Sequence, residues 1–212
     1  AIVEPCDASD GAAILAMSER VVREHGAPDV LINAAGAGEW KFIEDTSPAE
    51  ALVMMQAPYL AAFNATHAFM KAMLAKKSGV VIHVGWPVSL FPWPGCTGYA
   101  ATRWALRGLN EALNQDLAGT GVRSCHVVFA RVSSAYFENN PGAEEKIPGI
   151  ANVIRTLTPE ECARVLVKVA KSPTRQLAYP FMLRSFVWMH AVVPWLVRAM
   201  LRWTGVRHAA QR

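Results

Sequence analysis

Val80-Val81-Ile82-His83-Val84 places β-branched apolar residues at consecutive rather than alternate positions. A strand with one wet face alternates, whereas a strand covered on both faces reads as a continuous apolar run. Such strands belong to parallel sheets sandwiched between helices, and the flanking sequence reads the same way. On the C-terminal side, Pro87, Pro92, Pro94 and Gly95 form a loop. A helix then covers roughly Tyr99 to Ala118 and stops at Gly119-Thr120-Gly121, and Ser124-Cys125-His126-Val127-Val128-Phe129 is another buried strand. On the N-terminal side, Ser47-Pro48-Ala49-Glu50 is a capping box with proline at the first helical position. Its helix runs to about Lys77, and Pro58 inside it forces a kink. Before it, Val30-Leu31-Ile32 reads as a buried strand, preceded by a helix opened by Ser9, with Ile14, Met17, Val21 and Val22 at helical spacing. Residues 1–7 read as a strand running into a loop. Beyond Phe129, residues 130–157 look like a loop with weak structure. Thr158-Pro159-Glu160-Glu161 caps a helix to about Lys171, and Gln176–Tyr179 is a last short strand. This alternation specifies one α/β domain over residues 1–212, a doubly wound, Rossmann-like parallel sheet. Ligands in such sheets sit at the carboxyl ends of the strands. The loops after Ile32, Val84 and Phe129 therefore share one crevice.

The chain has 212 residues, 52% of them apolar and 18% charged, which excludes a disordered or low-complexity polypeptide. Cys6, Cys96, Cys125 and Cys162 form no CxxC pair, so neither a disulfide scaffold nor a cysteine metal site is expected. Scattered free thiols fit a reducing, cytoplasmic setting. No HExxH or His/Asp cluster occurs, so no metal is expected. His83 and His126 read as core histidines with their hydrogen bonds satisfied.

Charge is divided unevenly. The net is +4, yet the first 161 residues hold twelve basic against seventeen acidic residues. No Asp or Glu follows Glu161, while nine Lys or Arg do, from Arg164 to Arg212. A nucleic acid, an anionic membrane surface or an acidic protein surface would each suit such a tail; no nucleic-acid partner is expected. The uncharged run Ser185–Val197 spans thirteen residues, short of the about 20 that cross a bilayer. Trp188, Trp195 and Trp203 recur at steps of seven and eight and share a helical stripe. That stripe packs on the sheet, closes a substrate pocket, meets a second copy, or rests on a membrane surface. Arg184, Arg198 and Arg202 lie near it rather than opposite, which favours a lid or a dimer contact over the membrane.

Several segments share an order that single motifs lack. Cys6-Asp7-Ala8-Ser9-Asp10 follows the first apolar stretch, Asn33-Ala34-Ala35-Gly36 follows Ile32, and Gly98-Tyr99-Ala100-Ala101-Thr102-Arg103 opens the helix after Val84. In that order the chain resembles the short-chain dehydrogenase/reductase family over nearly its whole length. The resemblance implies NAD or NADP as cofactor, and Asp7, Asn33, Ala34, Ala35, Gly36, Tyr99, Arg103, Ala130 and Arg131 as the cofactor-binding positions. Asn33 is also read as a residue that only ties strands together. The family's opening strand, glycine-rich phosphate loop and helix have no counterpart here, so the first βαβ unit is expected to be missing from this chain.

The resemblance also assigns a catalytic set. The family's Tyr falls on Tyr99. Its Lys, four residues on, falls on Arg103, which is either a surface helix residue or the cation beside the Tyr. Its Ser, thirteen residues before the Tyr, falls on Trp86, and its helix Asn falls on Pro58. The Tyr hydroxyl supplies the proton that an alkoxide needs after hydride transfer. Arg103 supplies a positive charge but cannot pass a proton on. Trp86 offers an indole N–H from a bulkier side chain, Pro58 offers no side-chain hydrogen bond, and Ser89 carries a nearby hydroxyl. The implied function is oxidation or reduction of a lipophilic alcohol or ketone, impaired by the departures. The alternative is a non-catalytic binding protein on the same scaffold. The resemblance further implies a homodimer or homotetramer through helices 47–77 and 99–118, where Ala61, Ala62, Ala65, Ala68, Ala101 and Ala105 would let helices approach.

Overall fold

A computed structural model describes residues 1–207; Arg212, counted above in the basic tail, lies outside them. Four parallel strands form one sheet in chain order: β1 (Val30–Asn33), β2 (Gly79–Gly85), β3 (Val122–Phe129) and β4 (Gln176–Tyr179). The register pairs Val81 with Ser124 and His83 with His126. The faces follow from the period of two. Val81 and Val122 pack with Phe69 and Met73 of α3 (Ala61–Lys76), and α1 (Gly11–His25) lies over α3. Ser124, on that same face, donates to Asn110 of α4 (Thr97–Asp116). On the other face Ile82, Cys125 and Val127 share a core with Cys162, Val165 and Val169 of α5 (Pro159–Lys171). Helices on both sides of a parallel sheet make the doubly wound arrangement the sequence specifies.

Local signals explain the elements. Asp10, one residue after the expected opener Ser9, caps α1 by accepting from the backbone N–H groups of Ala12 and Ala13. Both capping boxes form, at Ser47/Glu50 before α2 (Pro48–Met55) and at Thr158/Glu161 before α5. Pro58 does more than kink its helix. It sits in a π-helical turn, Gln56–Leu60, between α2 and α3, because proline has no N–H for the regular ladder and a wider turn absorbs the defect. Residues 130–157 carry two short 3-10 turns and one isolated parallel bridge, Val132 with Leu157.

Two expectations about strands need correction. Residues 1–6 are not a strand: they join no ladder among the described residues, Glu4 only ion-pairs with Arg20, and Ile2 and Val3 are exposed. An extended segment becomes a strand only by joining a ladder. Val30-Leu31-Ile32 does form β1, but it is the outermost strand, and no described helix covers α5's side of the sheet there. Ile32 is therefore 44% exposed rather than buried.

The tail also departs from a single striped helix. It breaks at Val193-Pro194 into α6 (Phe181–Val192) and α7 (Pro194–Thr204). Leu183, Val197 and Leu201 face the core, and Trp188, Trp195 and Trp203 face outward. Ala61 and Ala62 lie buried inside the subunit and cannot serve a contact between copies.

Candidate functional site

The turn after β1, the end of β2 and the first turns of α4 converge on a pocket of about 140 Å³. Ala34, Gly36, Val84, Gly85, Trp86, Tyr99 and Arg103 line it, with Tyr136 and Phe137 of the 130–157 loop closing one side. Its place, at the carboxyl ends of β1 to β3, is where doubly wound sheets hold ligands.

Tyr99 and Arg103 stand one helical turn apart on α4 and so share a face. The Arg103 Nε–H donates to the Tyr99 hydroxyl oxygen at 3.0 Å, and an Nη1–H donates to the Val84 carbonyl at 3.1 Å. Arg103 is buried, which excludes its reading as a surface residue. A charged donor on a phenol oxygen stabilises negative charge that develops there as a proton leaves. Tyr136 hydrogen-bonds the Tyr99 hydroxyl, and burial pushes the Tyr136 hydroxyl up from its ordinary value. Trp40 Nε1 donates to the Tyr136 oxygen at 3.3 Å. Around these groups the rings pack closely: Trp40 and Tyr99 have centroids 5.3 Å apart, Trp40 and Trp93 5.7 Å, and Trp86 stacks on Tyr136.

Trp86 follows β2 and separates two pockets. On its far side lies a smaller apolar pocket of about 50 Å³ lined by Phe91, Trp93, Ala130, Arg131, Ile150, Leu183 and Leu201, among others. The Trp86 Nε1–H is buried and has no partner among the described residues.

The other named positions are dispersed. Asn33 donates to Thr66 Oγ1 at 3.1 Å and to His83 Nδ1 at 3.2 Å, tying β1 to α3 and β2. Asn33, Ala34 and Ala35 line a separate pocket of about 200 Å³ with Ala8. Asp7 is exposed and accepts from the Ser9 N–H and hydroxyl, which lower its pKa. Ala130 is buried, and Arg131 is paired with Glu144 at 3.2 Å. Pro58 is buried in the π turn and does not line the pocket around Tyr99. The Ser89 hydroxyl is consumed by the Trp86 carbonyl at 2.7 Å, so it does not replace a lost serine. Among the described residues no cluster of His, Cys, Asp and Glu could hold a metal ion.

The two core histidines are buried but not satisfied. Asn33 Nδ2 donates to His83 Nδ1, which puts the His83 proton on Nε2, and that atom is unpartnered, as are both His126 nitrogens. A β-carbon on Gly85 would stand 2.2 Å from His126 Nε2, so the strand backbone itself fills the space a partner would need. Burial lowers His83 to about 4. Burial, helped by His83 and the Arg107 and Arg103 charges, lowers His126 to about 3.

A family profile described as short chain dehydrogenase matches residues 1–144. The chain belongs to the short-chain dehydrogenase family. Among members, dehydrogenase/reductase SDR family member 7 of Homo sapiens is 24% identical over 195 residues, which cover 89% of this chain and 58% of that protein. A 3alpha-hydroxysteroid dehydrogenase of Mediterraneibacter gnavus is 31% identical over 114 residues, 54% of this chain and 46% of that one. The chain thus spans about half the length of the curated relatives it matches. A short-chain dehydrogenase structure from Streptomyces avermitilis superposes with a TM-score of 0.78 at 20% identity, covering 91% of this chain and 76% of that one. An alcohol dehydrogenase from Thermococcus sibiricus, complexed with 5-hydroxy-NADP, gives 0.69 at 24% identity, covering 82% of this chain and 71% of that one. Both likenesses establish the fold.

For a nicotinamide dinucleotide, the cofactor the family implies, the residues present fit one end. Gly36 brings bare backbone against the Arg103 guanidinium, and Ala34, Tyr99 and Arg103 frame the pocket, a donor set suited to a ribose and a nicotinamide ring. Tyr136, Phe137 and Trp40 are the aromatic members of the site that sequence reasoning missed. All three sit in irregular segments, and only the richness of the loops in aromatic residues hinted at them.

Proposed function

We propose that this protein is an NAD(P)-dependent oxidoreductase of a lipophilic alcohol and its ketone, working in the cytoplasm as a single domain whose 130–157 segment is the substrate loop. The observation that carries the reading is the 3.0 Å contact of Arg103 Nε with the Tyr99 hydroxyl at the pocket wall. Ala34, Gly36, Tyr99 and Arg103 would hold the nicotinamide and its ribose, with Asp7, Asn33, Ala35, Ala130 and Arg131 as the outer positions. A dinucleotide held there would supply hydride chemistry at the substrate carbon. The chain's own part is the proton. In reduction the Tyr99 hydroxyl gives its proton to the carbonyl oxygen. Arg103 holds the resulting phenolate without losing a proton of its own. The Tyr136 hydroxyl, hydrogen-bonded to Tyr99, positions its oxygen, and Tyr99 regains its proton from water entering the pocket. In the place of the family's serine, Trp86 brings only an indole N–H that is buried, so the substrate oxygen lacks a ready donor and the site is weaker than a hydroxyl-based one. The apolar wall beyond Trp86 favours a lipophilic substrate.

The phosphates and adenine find no glycine-rich turn in this chain, so affinity rests on the nicotinamide end. Reduced nicotinamide mononucleotide and NADH are expected to quench tryptophan fluorescence with Kd values within about tenfold of each other, both above the micromolar range. Saturable micromolar binding of NADH alone would overturn this. Turnover is assayed with medium-chain ketones, and binding without turnover would favour the non-catalytic reading.

A further inference from the structure

We propose that the α6–α7 hairpin docks this protein on an anionic phospholipid surface. The inward residues Leu183, Val197 and Leu201 already satisfy the core. The outward surface nevertheless carries Phe181, Trp188, Val192, Trp195 and Trp203, all more than half exposed, Val192 reaching 80%. Phe181 and Trp188 touch edge to face, centroids 6.0 Å apart, so the apolar patch is continuous along α6. Val192 and Trp195 flank the Pro194 corner and form its tip. Tryptophan is the residue suited to the headgroup layer, with an apolar body and a polar N–H.

The charges select the partner. Arg198 and Arg202 are exposed on α7 between Trp195 and Trp203, and Arg184 lies on α6. Among the described residues none of the three is in an ion pair. The sequence has no Asp or Glu beyond Glu161 to offset them. On one striped helix that placement favours a lid or a dimer contact; on two helices with Trp188, Trp195 and Trp203 turned outward, arginines beside tryptophans reach phosphate headgroups while their stems stay on the apolar layer. A second copy is the poorer occupant: a two-fold contact through this face would set the arginines against those of its mate, with no acidic residue of the hairpin between them. No described helix is long and apolar enough to cross a membrane, so the contact is interfacial. The hairpin's inner face, through Leu183, Phe186 and Leu201, lines the apolar pocket behind Trp86, and docking would bring that pocket to the lipid layer.

The experiment uses the whole chain, sedimented with vesicles of phosphatidylcholine alone and of phosphatidylcholine and phosphatidylserine in equal parts. Binding to the phosphatidylserine vesicles, with a blue shift of tryptophan emission and release by salt, is expected; weak retention on the neutral vesicles is also expected. Arg198→Glu with Arg202→Glu should weaken binding to the anionic vesicles by about tenfold or more. Trp195→Ser with Trp203→Ser should weaken binding to both compositions, with thermal melts unchanged because all four side chains are exposed. No binding, or equal binding to the two compositions, would overturn the proposal. So would a dimer in light scattering that Trp195→Ser converts to monomer, which assigns the face to a second copy. The salt and composition arms need no variant and none of them depends on catalysis.

Discussion

Gly36 and Arg103 are in such close contact that a β-carbon built on the glycine would stand 2.3 Å from Arg103 Nη2. The guanidinium cannot simply swing aside, because its Nε and Nη1 are committed to the Tyr99 hydroxyl and the Val84 carbonyl. Gly36→Ala should therefore cost about 1 kcal/mol of stability and lower kcat about tenfold, since one charge-assisted hydrogen bond is worth about that much. Steady-state kinetics beside a thermal melt separate the two effects.

Tyr99 and Arg103 should respond differently to conservative change. Tyr99→Phe removes the proton donor and should lower kcat at least about a hundredfold, with the ring cluster kept. Arg103→Lys keeps the charge and adds a group able to release a proton, so activity should hold or rise while the Val84 contact weakens by about 1 kcal/mol. Tyr99→Phe with full activity would place the chemistry elsewhere.

Trp86 offers a cleaner test of its indole N–H. Trp86→Phe keeps an aromatic ring against Trp40 and Tyr136 and deletes a buried donor that has no partner. Stability should be unchanged or slightly raised, because an unsatisfied group is removed. If the N–H meets the substrate oxygen, kcat/KM should fall about tenfold. Trp86→Ser returns a hydroxyl but opens a void costing about 3 kcal/mol or more, so its activity is read on the folded fraction.

His83 and His126 predict acid lability. In the unfolded chain both take a proton near pH 6.5, but in the folded state only near about 4 and about 3. Between those limits the unfolded state binds more protons, so stability falls as pH drops through the window and is fully present above it. The loss approaches about 1.4 kcal/mol per pH unit per histidine. Melting temperatures from neutral pH downward should show this slope, and His126→Gln should flatten it.

A homodimer through the outer faces of α2, α3 and α4 is expected, carried by the exposed Leu52, Phe63 and Trp104. Leu52→Glu with Phe63→Glu should return a dimeric scattering mass to that of one chain.

Much of the fold was legible because its signals are local. Both capping boxes and the run around Ile82 act within a few residues, and each formed its element. What sequence could not show depends on neighbours. Ile2 and Ile32 read as strand and core, but burial needs a covering partner that no local pattern supplies. Tyr99 and Arg103 were found because one helical turn fixes their contact, whereas Tyr136 reaches the site from a loop 37 residues further on, where no period operates. The Trp stripe had the spacing of one helix face, but Pro194 breaks that helix in two, and spacing alone does not say which face of each turns inward.

The wide turn at Pro58 makes a gearbox of one long helical run. A five-residue turn advances the chain by one residue more than the regular ladder, so every side chain after it is rotated by about 100°. Upstream, Met54 points at Gly98 and Gly38 beside the ring cluster; downstream, Phe69 and Met73 point at the sheet. One rod thereby takes two bearings. Deleting Ala57 would leave both halves helical yet turn the second away from the sheet, and the subunit would lose that contact with Phe69 and Met73 still in its sequence.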